Sequence, residues 1–176
     1  MTAALGLHFR GTVERRSDAS SHLKSSGDAV LVERGRPRML LLSCPCGCGE
    51  EFPINLDPRS GPAWRLYGTA EKGLSLYPSV WRDSGCKSHY IIWRGRILLF
   101  GQGEDDIGSS LLPEEVKSLS DKVRRELPAR GLSTISTIAD AVDGIPWDVL
   151  MVCRRLVREG VAREGSGKNR GSFGVR

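Results

Sequence analysis

Between residues 29 and 100 short apolar runs alternate with clusters of turn-forming residues. The runs 29–32 and 38–42 are separated by Glu33-Arg34-Gly35-Arg36-Pro37, which predicts two strands joined by a turn. Runs at 52–56 and 63–67 flank the breaker-rich Asp57-Pro58-Arg59-Ser60-Gly61-Pro62, and further runs at 74–80, 90–93 and 96–100 complete a set of short strands. Residues 10–28 are polar and rich in serine, so segment 1–28 is expected to be loosely ordered. After the polar, acidic stretch 101–108 the period changes. Val116, Leu119, Val123 and Leu127 recur at helical spacing after Pro113, with Glu114 and Glu115 where the helix dipole favours acids. Ile135, Ile138, Ala139 and Val142 predict a second helix. Pro146 opens a third that closes before Gly160.

The pattern therefore predicts an α+β chain of two parts, a mostly-β domain over 29–100 and a helical module over 113–176. The order of helix, helix, turn and helix, followed by Gly160-Val161-Ala162-Arg163, a Gly/Lys/Arg-rich hairpin and Phe173-Gly174-Val175, resembles a winged helix. A DNA-binding winged helix would place its third helix in the major groove, here offering Arg154, Arg155 and Arg158. The opening turn Pro146-Trp147-Asp148-Val149 carries no base-reading side chain, so phosphate contact would give affinity without sequence choice. Many winged helices bind proteins instead.

Charge adds one asymmetry. The net charge is +5, and the tail 154–176 holds seven Lys/Arg against two Glu, which accounts for all of it. A basic tail suits nucleic acid or an acidic protein surface as partner. No apolar run reaches the roughly 18–20 residues of a membrane span, and the first residues lack the order of a signal peptide. The chain reads as cytoplasmic, without a membrane partner. In that reducing setting clustered cysteines point to metal or catalysis before disulfides.

Three of the five cysteines, Cys44, Cys46 and Cys48, occupy alternate positions of Ser43-Cys44-Pro45-Cys46-Gly47-Cys48-Gly49. The proline and glycines favour a tight knuckle over a strand. Zinc prefers four tetrahedral nitrogen or sulfur ligands, with Cys86 the obvious fourth and His89 its competitor. Such a closed site is structural, a staple for a β domain whose core is thin for its length. Cys153 falls on the apolar face of a helix and reads as core.

The segments Ser43-Cys44-Pro45-Cys46-Gly47-Cys48-Gly49-Glu50, Asn55-Leu56-Asp57-Pro58, Trp64-Arg65-Leu66, Leu74-Ser75-Leu76-Tyr77-Pro78-Ser79-Val80 and Cys86-Lys87-Ser88-His89-Tyr90 together resemble a small bacterial domain family. That family was long catalogued as a domain of unknown function. Its members occur in operons with ubiquitin-like proteins and E1- and E2-like enzymes, often in antiviral-defence neighbourhoods, and are regarded as metal-binding serine peptidases. The resemblance covers residues 29–100 and marks Cys44, Cys46, Cys48 and Cys86 with Ser79, Ser88 and His89. The segment between Ser79 and Cys86 is shorter here than is usual in the family, and the helical module lies outside the family core.

A serine hydrolase needs a hydroxyl within reach of a base and a third group that holds the base. His89, the one histidine beyond the N-terminal region, is the natural base, and Asp57 or Asp83 the candidate for orienting it. Ser79 is the preferred nucleophile over Ser88, because neighbours in a strand point to opposite faces. The resemblance implies hydrolysis at the C-terminus of a ubiquitin-like protein. The competing expectations are a zinc-knuckle adaptor that binds the modifier or its E1/E2-like enzymes without cleaving, and a winged-helix DNA-binding regulator.

Overall fold

The computed structural model describes residues 6–99 and 111–176. The chain divides into two units, 1–106 and 107–176. The first holds two four-stranded sheets. One is built from β1 (His8–Val13), β2 (Asp28–Glu33), β3 (Pro37–Ser43) and β4 (Glu51–Asn55), in that order, with a short helix α1 (Arg16–Ala19) between β1 and β2. The other is built from β5 (Arg65–Tyr67), β6 (Ser75–Trp81), β7 (His89–Trp93) and β8 (Arg96–Leu99), again in chain order. Every neighbouring pair is antiparallel except β1 with β2.

Both sheets contribute to one core. Ala29, Leu40, Leu42 and Ile54 of the first meet Leu76, Val80, Tyr90, Ile92 and Ile97 of the second, all buried. Alternation along β2 and β3 then sends Val30, Val32 and Leu41 to the opposite face, where they are equally buried with Ala19. A strand that is apolar on both faces has to be covered twice.

That requirement corrects the expectation that segment 1–28 is loosely ordered. From residue 6 onward it is structured, because it supplies the second cover. Val13, Ala19 and Leu23 pack against Val30, Val32 and Leu41. Asp28, fully buried, is held by Arg10 at 2.7 Å and by the backbone N–H groups of Lys24 and Ser25 at 2.8 and 2.9 Å. Burial of Asp28 works to raise its pKa, but these donors outweigh it and the carboxyl lies below its ordinary value. The polar composition of the segment conceals the few apolar residues that do this covering.

In the second unit α2 (Pro113–Glu126), α3 (Ile135–Val142) and α4 (Pro146–Arg158) alternate with a small sheet of β9 (Ser133–Thr134), β10 (Ala162–Glu164) and β11 (Ser172–Val175), ordered β10-β11-β9. Thr134 caps α3 by accepting from the Thr137 N–H at 3.2 Å. The α2 start is closed by Glu115, whose carboxylate accepts from the Leu112 N–H at 2.8 Å. Val123, Ile138, Val149, Val152, Leu156 and Phe173 form the core of this unit. Cys153 lies among them, fully buried, and burial pushes its thiol up to about 12. It is inert packing, as its position on the helix implies.

Candidate functional site

The cysteine cluster is made where two hairpin loops of the first unit meet. After β3 the chain turns tightly: the Cys44 N–H donates to the Glu50 carbonyl at 2.9 Å, and the Gly47 N–H to the Cys44 carbonyl at 3.2 Å. Gly47 and Gly49 adopt φ of 84° and 81°, a region that side chains resist, so the knuckle needs glycine there. The β6–β7 connection brings in Cys86 and is closed by the Arg82 N–H donating to the Ser88 carbonyl at 3.0 Å. The four sulfurs of Cys44, Cys46, Cys48 and Cys86 then lie within 4.8 Å of one another.

This donor set suits a metal ion. Four sulfurs each about 2.3 Å from a common tetrahedral centre lie roughly 3.8 Å apart. Here Cys44 stands 3.3 Å from Cys46 and 3.6 Å from Cys86. Burial acts to raise the Cys86 thiol, but the Ser88 hydroxyl and N–H, with Cys46 and Cys44, bring it down to about 6. Burial and then the Cys44 side chain push Cys46 up to about 12. Thiolate is already favoured at one corner, and a metal would displace the remaining protons.

Arg82 and Ser88 surround this cluster. Arg82 is 10% exposed, reaches Glu50 at 2.6 Å and the Cys86 sulfur at 3.4 Å, and lies over the Phe52 ring. Sequence reasoning missed it. The signal available was a cation four residues before a predicted thiolate ligand, which in a hairpin loop returns to the same place. The Ser88 hydroxyl sits 3.2 Å from Cys86 and 3.4 Å from Cys44.

His89 opens β7 and faces the other way. Its Nε2 lies 3.1 Å from the Ser79 Oγ. Register explains the pairing. Val80 opposes Tyr90 in the core, so Trp81, opposite His89, and Ser79, two residues before Trp81, share the outer face. The ladder shifts between Leu76 and Val80, with three residues of β6 set against one of β7, and Ser79 closes this bulge. The Trp81 ring lies 5.9 Å from the His89 ring, centroid to centroid, and Trp81 is 72% exposed. Trp64 fixes the strand from its edge, its Nε1 donating to the Ser79 carbonyl at 3.3 Å.

The two acids considered for orienting His89 sit in different surroundings. Asp83 is exposed in the β6–β7 connection. Asp57 is turned to other work, which corrects its candidacy: its carboxylate takes Arg36 at 3.0 Å, Arg38, and the Arg59 N–H at 3.1 Å. The Arg36 hydrogen bond, followed against burial by those of Arg59 and Arg38, lowers Asp57 from 3.8 to about 2. A depressed carboxyl stabilises the fold above its unfolded pKa, and the contribution is lost as pH falls through the folded one. Acid unfolding followed by circular dichroism between about pH 4 and 2 is therefore expected to be less steep in Asp57→Asn, which starts less stable at neutral pH. An unchanged slope would remove Asp57 from the acid transition.

Residues 15–100 match the BubE family, described as the bacterial ubiquitination-like system serine protease. The match lies within the N-terminal unit, which is similar to that family. The match starts before Ala29 and takes in α1, consistent with a domain whose second core face is covered from its N-terminal side. No curated protein and no solved structure is detectably similar to the chain. The ubiquitination-like setting of BubE points to partners in a ubiquitin-like pathway, and nothing in the match points to nucleic acid. On α4, Arg155 is engaged by Glu159 at 2.8 Å, and Arg124 of α2 reaches the same carboxylate at 3.1 Å. Among the described residues no helix is long and apolar enough to cross a membrane.

Proposed function

We propose that the N-terminal unit is a zinc-stapled serine hydrolase that cleaves at the C-terminus of a ubiquitin-like protein, maturing it or releasing it from conjugates. The observation that carries this reading is the 3.1 Å approach of Ser79 Oγ to His89 Nε2 on the outer face of the second sheet, in a domain similar to the BubE family. A hydroxyl and an imidazole at that distance are the minimal pair of an acyl-transfer site.

The chemistry balances with these two residues and water. Ser79 Oγ attacks the terminal carbonyl of the modifier while His89 Nε2 takes the hydroxyl proton. The bond to the leaving group breaks and His89 returns the proton to it, leaving the modifier as an ester on Ser79. Water then attacks that ester with His89 again as base, and Ser79 regains its proton. An amide, isopeptide or ester linkage follows the same course.

Cys44, Cys46, Cys48 and Cys86 would hold the zinc ion. Bound there, zinc supplies cross-linking of the two hairpin loops rather than a Lewis acid, because four protein thiolates leave no open position. The effect on the site runs through one peptide bond. The Ser88 hydroxyl is hydrogen-bonded to the Cys86 and Cys44 sulfurs and His89 follows it, so fixing the cluster fixes the start of β7 and the height of the proposed base beside Ser79.

An alkyl fluorophosphonate tests the reading directly. It is expected to attach to one serine of the native chain, mapped by peptide mass to Ser79, and not to react with His89→Ala. Attachment elsewhere, or none, would end the assignment.

A further inference from the structure

The β6 edge that faces away from β7 ends with an exposed backbone pair at Trp81. Among the described residues the Arg82 N–H donates to Ser88, so Arg82 with Ser88 and Val80 with Tyr90 are the hydrogen-bonded pairs of the β6–β7 ladder. The alternation of an antiparallel ladder then turns the backbone N–H and C=O of Trp81, and likewise of Ser79, to the opposite edge. The Ser79 carbonyl confirms that direction, since it meets the Trp64 indole there.

On this edge β5 covers β6 only as far as Tyr77, which pairs with Arg65. The chain then leaves the sheet: the Trp64 N–H donates to the Asn55 carbonyl at 2.9 Å, and the Pro62 carbonyl accepts from the Asn55 side chain at 2.9 Å. No described residue hydrogen-bonds to the Trp81 backbone on that edge. An unpaired edge beside an exposed indole, two residues from a candidate nucleophile, is a template for one more strand.

We infer that the substrate's C-terminal tail adds to this edge as a short extended strand, antiparallel to β6, with its third residue from the scissile linkage paired to Trp81. This rests on the hydrolase reading and gives it a direction. In an antiparallel pair the residue opposite Trp81 is followed, two positions later, by the residue opposite Ser79, so the tail runs toward the nucleophile carbonyl-first. A parallel tail would run away from it. The paired residue exchanges both hydrogen bonds with the Trp81 backbone and sets its side chain on the same face, against the indole. Pairing stops at Ser79, whose carbonyl is taken by Trp64, and the scissile carbonyl is left unpaired beside Ser79 Oγ. Trp81 is thus a specificity-determining residue, favouring an apolar side chain at the third position of the tail.

Peptidyl diphenyl phosphonates test this on the full chain. Ser79 Oγ forms a bond to phosphorus, phenoxide leaves, and His89 takes the hydroxyl proton, so reaction reports the nucleophile while the peptide reports the edge. Acetyl-Leu-Ala carrying a glycine-analogue phosphonate is expected to inactivate about tenfold or more faster than the single-residue phosphonate, as two hydrogen bonds and an apolar contact imply. N-methylation of its leucine amide, which removes one donor to the edge, and Trp81→Ala are each expected to bring that ratio down toward one. Modification of Ser79 with equal rates across the series would overturn the edge while leaving the hydrolase. A chain in which neither these reagents nor the fluorophosphonate reach Ser79 would overturn both.

Discussion

Ser79→Ala is expected to lower cleavage of a C-terminally extended ubiquitin-like protein by about 10⁴-fold or more, with the fold intact. Ser79 is half-buried on an outer face and its hydroxyl meets the His89 imidazole rather than the core, so deleting the oxygen would remove the proposed nucleophile and little else. His89→Ala is expected to fall to a similar floor. The double variant should fall no further than either single one, because a nucleophile and its base act as a unit. Ser88→Ala separates this site from its neighbour. Its hydroxyl belongs with the Cys86 and Cys44 sulfurs, so its loss is expected to weaken metal retention first and turnover only through it. Initial rates with purified extended substrate, together with zinc content per chain, decide the matter. Full turnover by Ser79→Ala, or a loss in Ser88→Ala as deep as in Ser79→Ala with zinc retained, would reverse the roles of the two serines.

Removing the zinc is expected to unfold more than the knuckle. Structural zinc sites in small peptides contribute apparent binding energies of about 10–16 kcal/mol, as large as the whole stability of an ordinary domain. Cys44 lies 42 residues from Cys86 in sequence, and the two come from hairpins of different sheets, so a bound ion would close a long loop between them. Cys86→Ser is expected to lose the metal, drop the melting temperature of the N-terminal unit by ten degrees or more, on the order expected for several kcal/mol, and abolish hydrolysis. Cys153→Ser, in the other unit, should keep both metal and activity. A strong chelator should inactivate the wild-type chain in step with zinc release. Wild-type chain that purifies with full activity and no metal would end the staple.

The sequence was most legible where one residue type had one physical use. Alternate cysteines interleaved with a proline and glycines pointed to a metal knuckle, and the helical spacing from Val116 to Leu127 marked α2 to within a residue of its end. Strand positions from β2 to β8 followed from apolar runs bounded by turns. Their division into two sheets did not, because hydrogen-bond partners between strands leave no mark on a single strand's composition. The N-terminal cover was hidden for a related reason. Val13, Ala19 and Leu23 are thinly spread in a polar segment, and what calls for them is the second apolar face of β2 and β3. Ser79 and His89 were legible as residue types and as part of a resemblance. Their distance was not, since it depends on a bulge in β6 that turns the count between them. Arg82 and Trp81 were passed over because an arginine and a tryptophan in a loop-like run have many ordinary uses.

The N-terminal cover also bears on how this domain can be carried from one protein to another. Its portable unit starts at β1, not at the first strongly apolar run. A gene fusion that kept only residues 29–99 would retain the four clustered cysteines, Ser79 and His89, yet leave Val30, Val32 and Leu41 facing water and lose the buried Asp28–Arg10 pair at the start of β2. Such a piece would be sticky, tending to associate through that bare face. The polar, serine-rich stretch in front of the recognisable motifs therefore travels with them as an inseparable part of the domain.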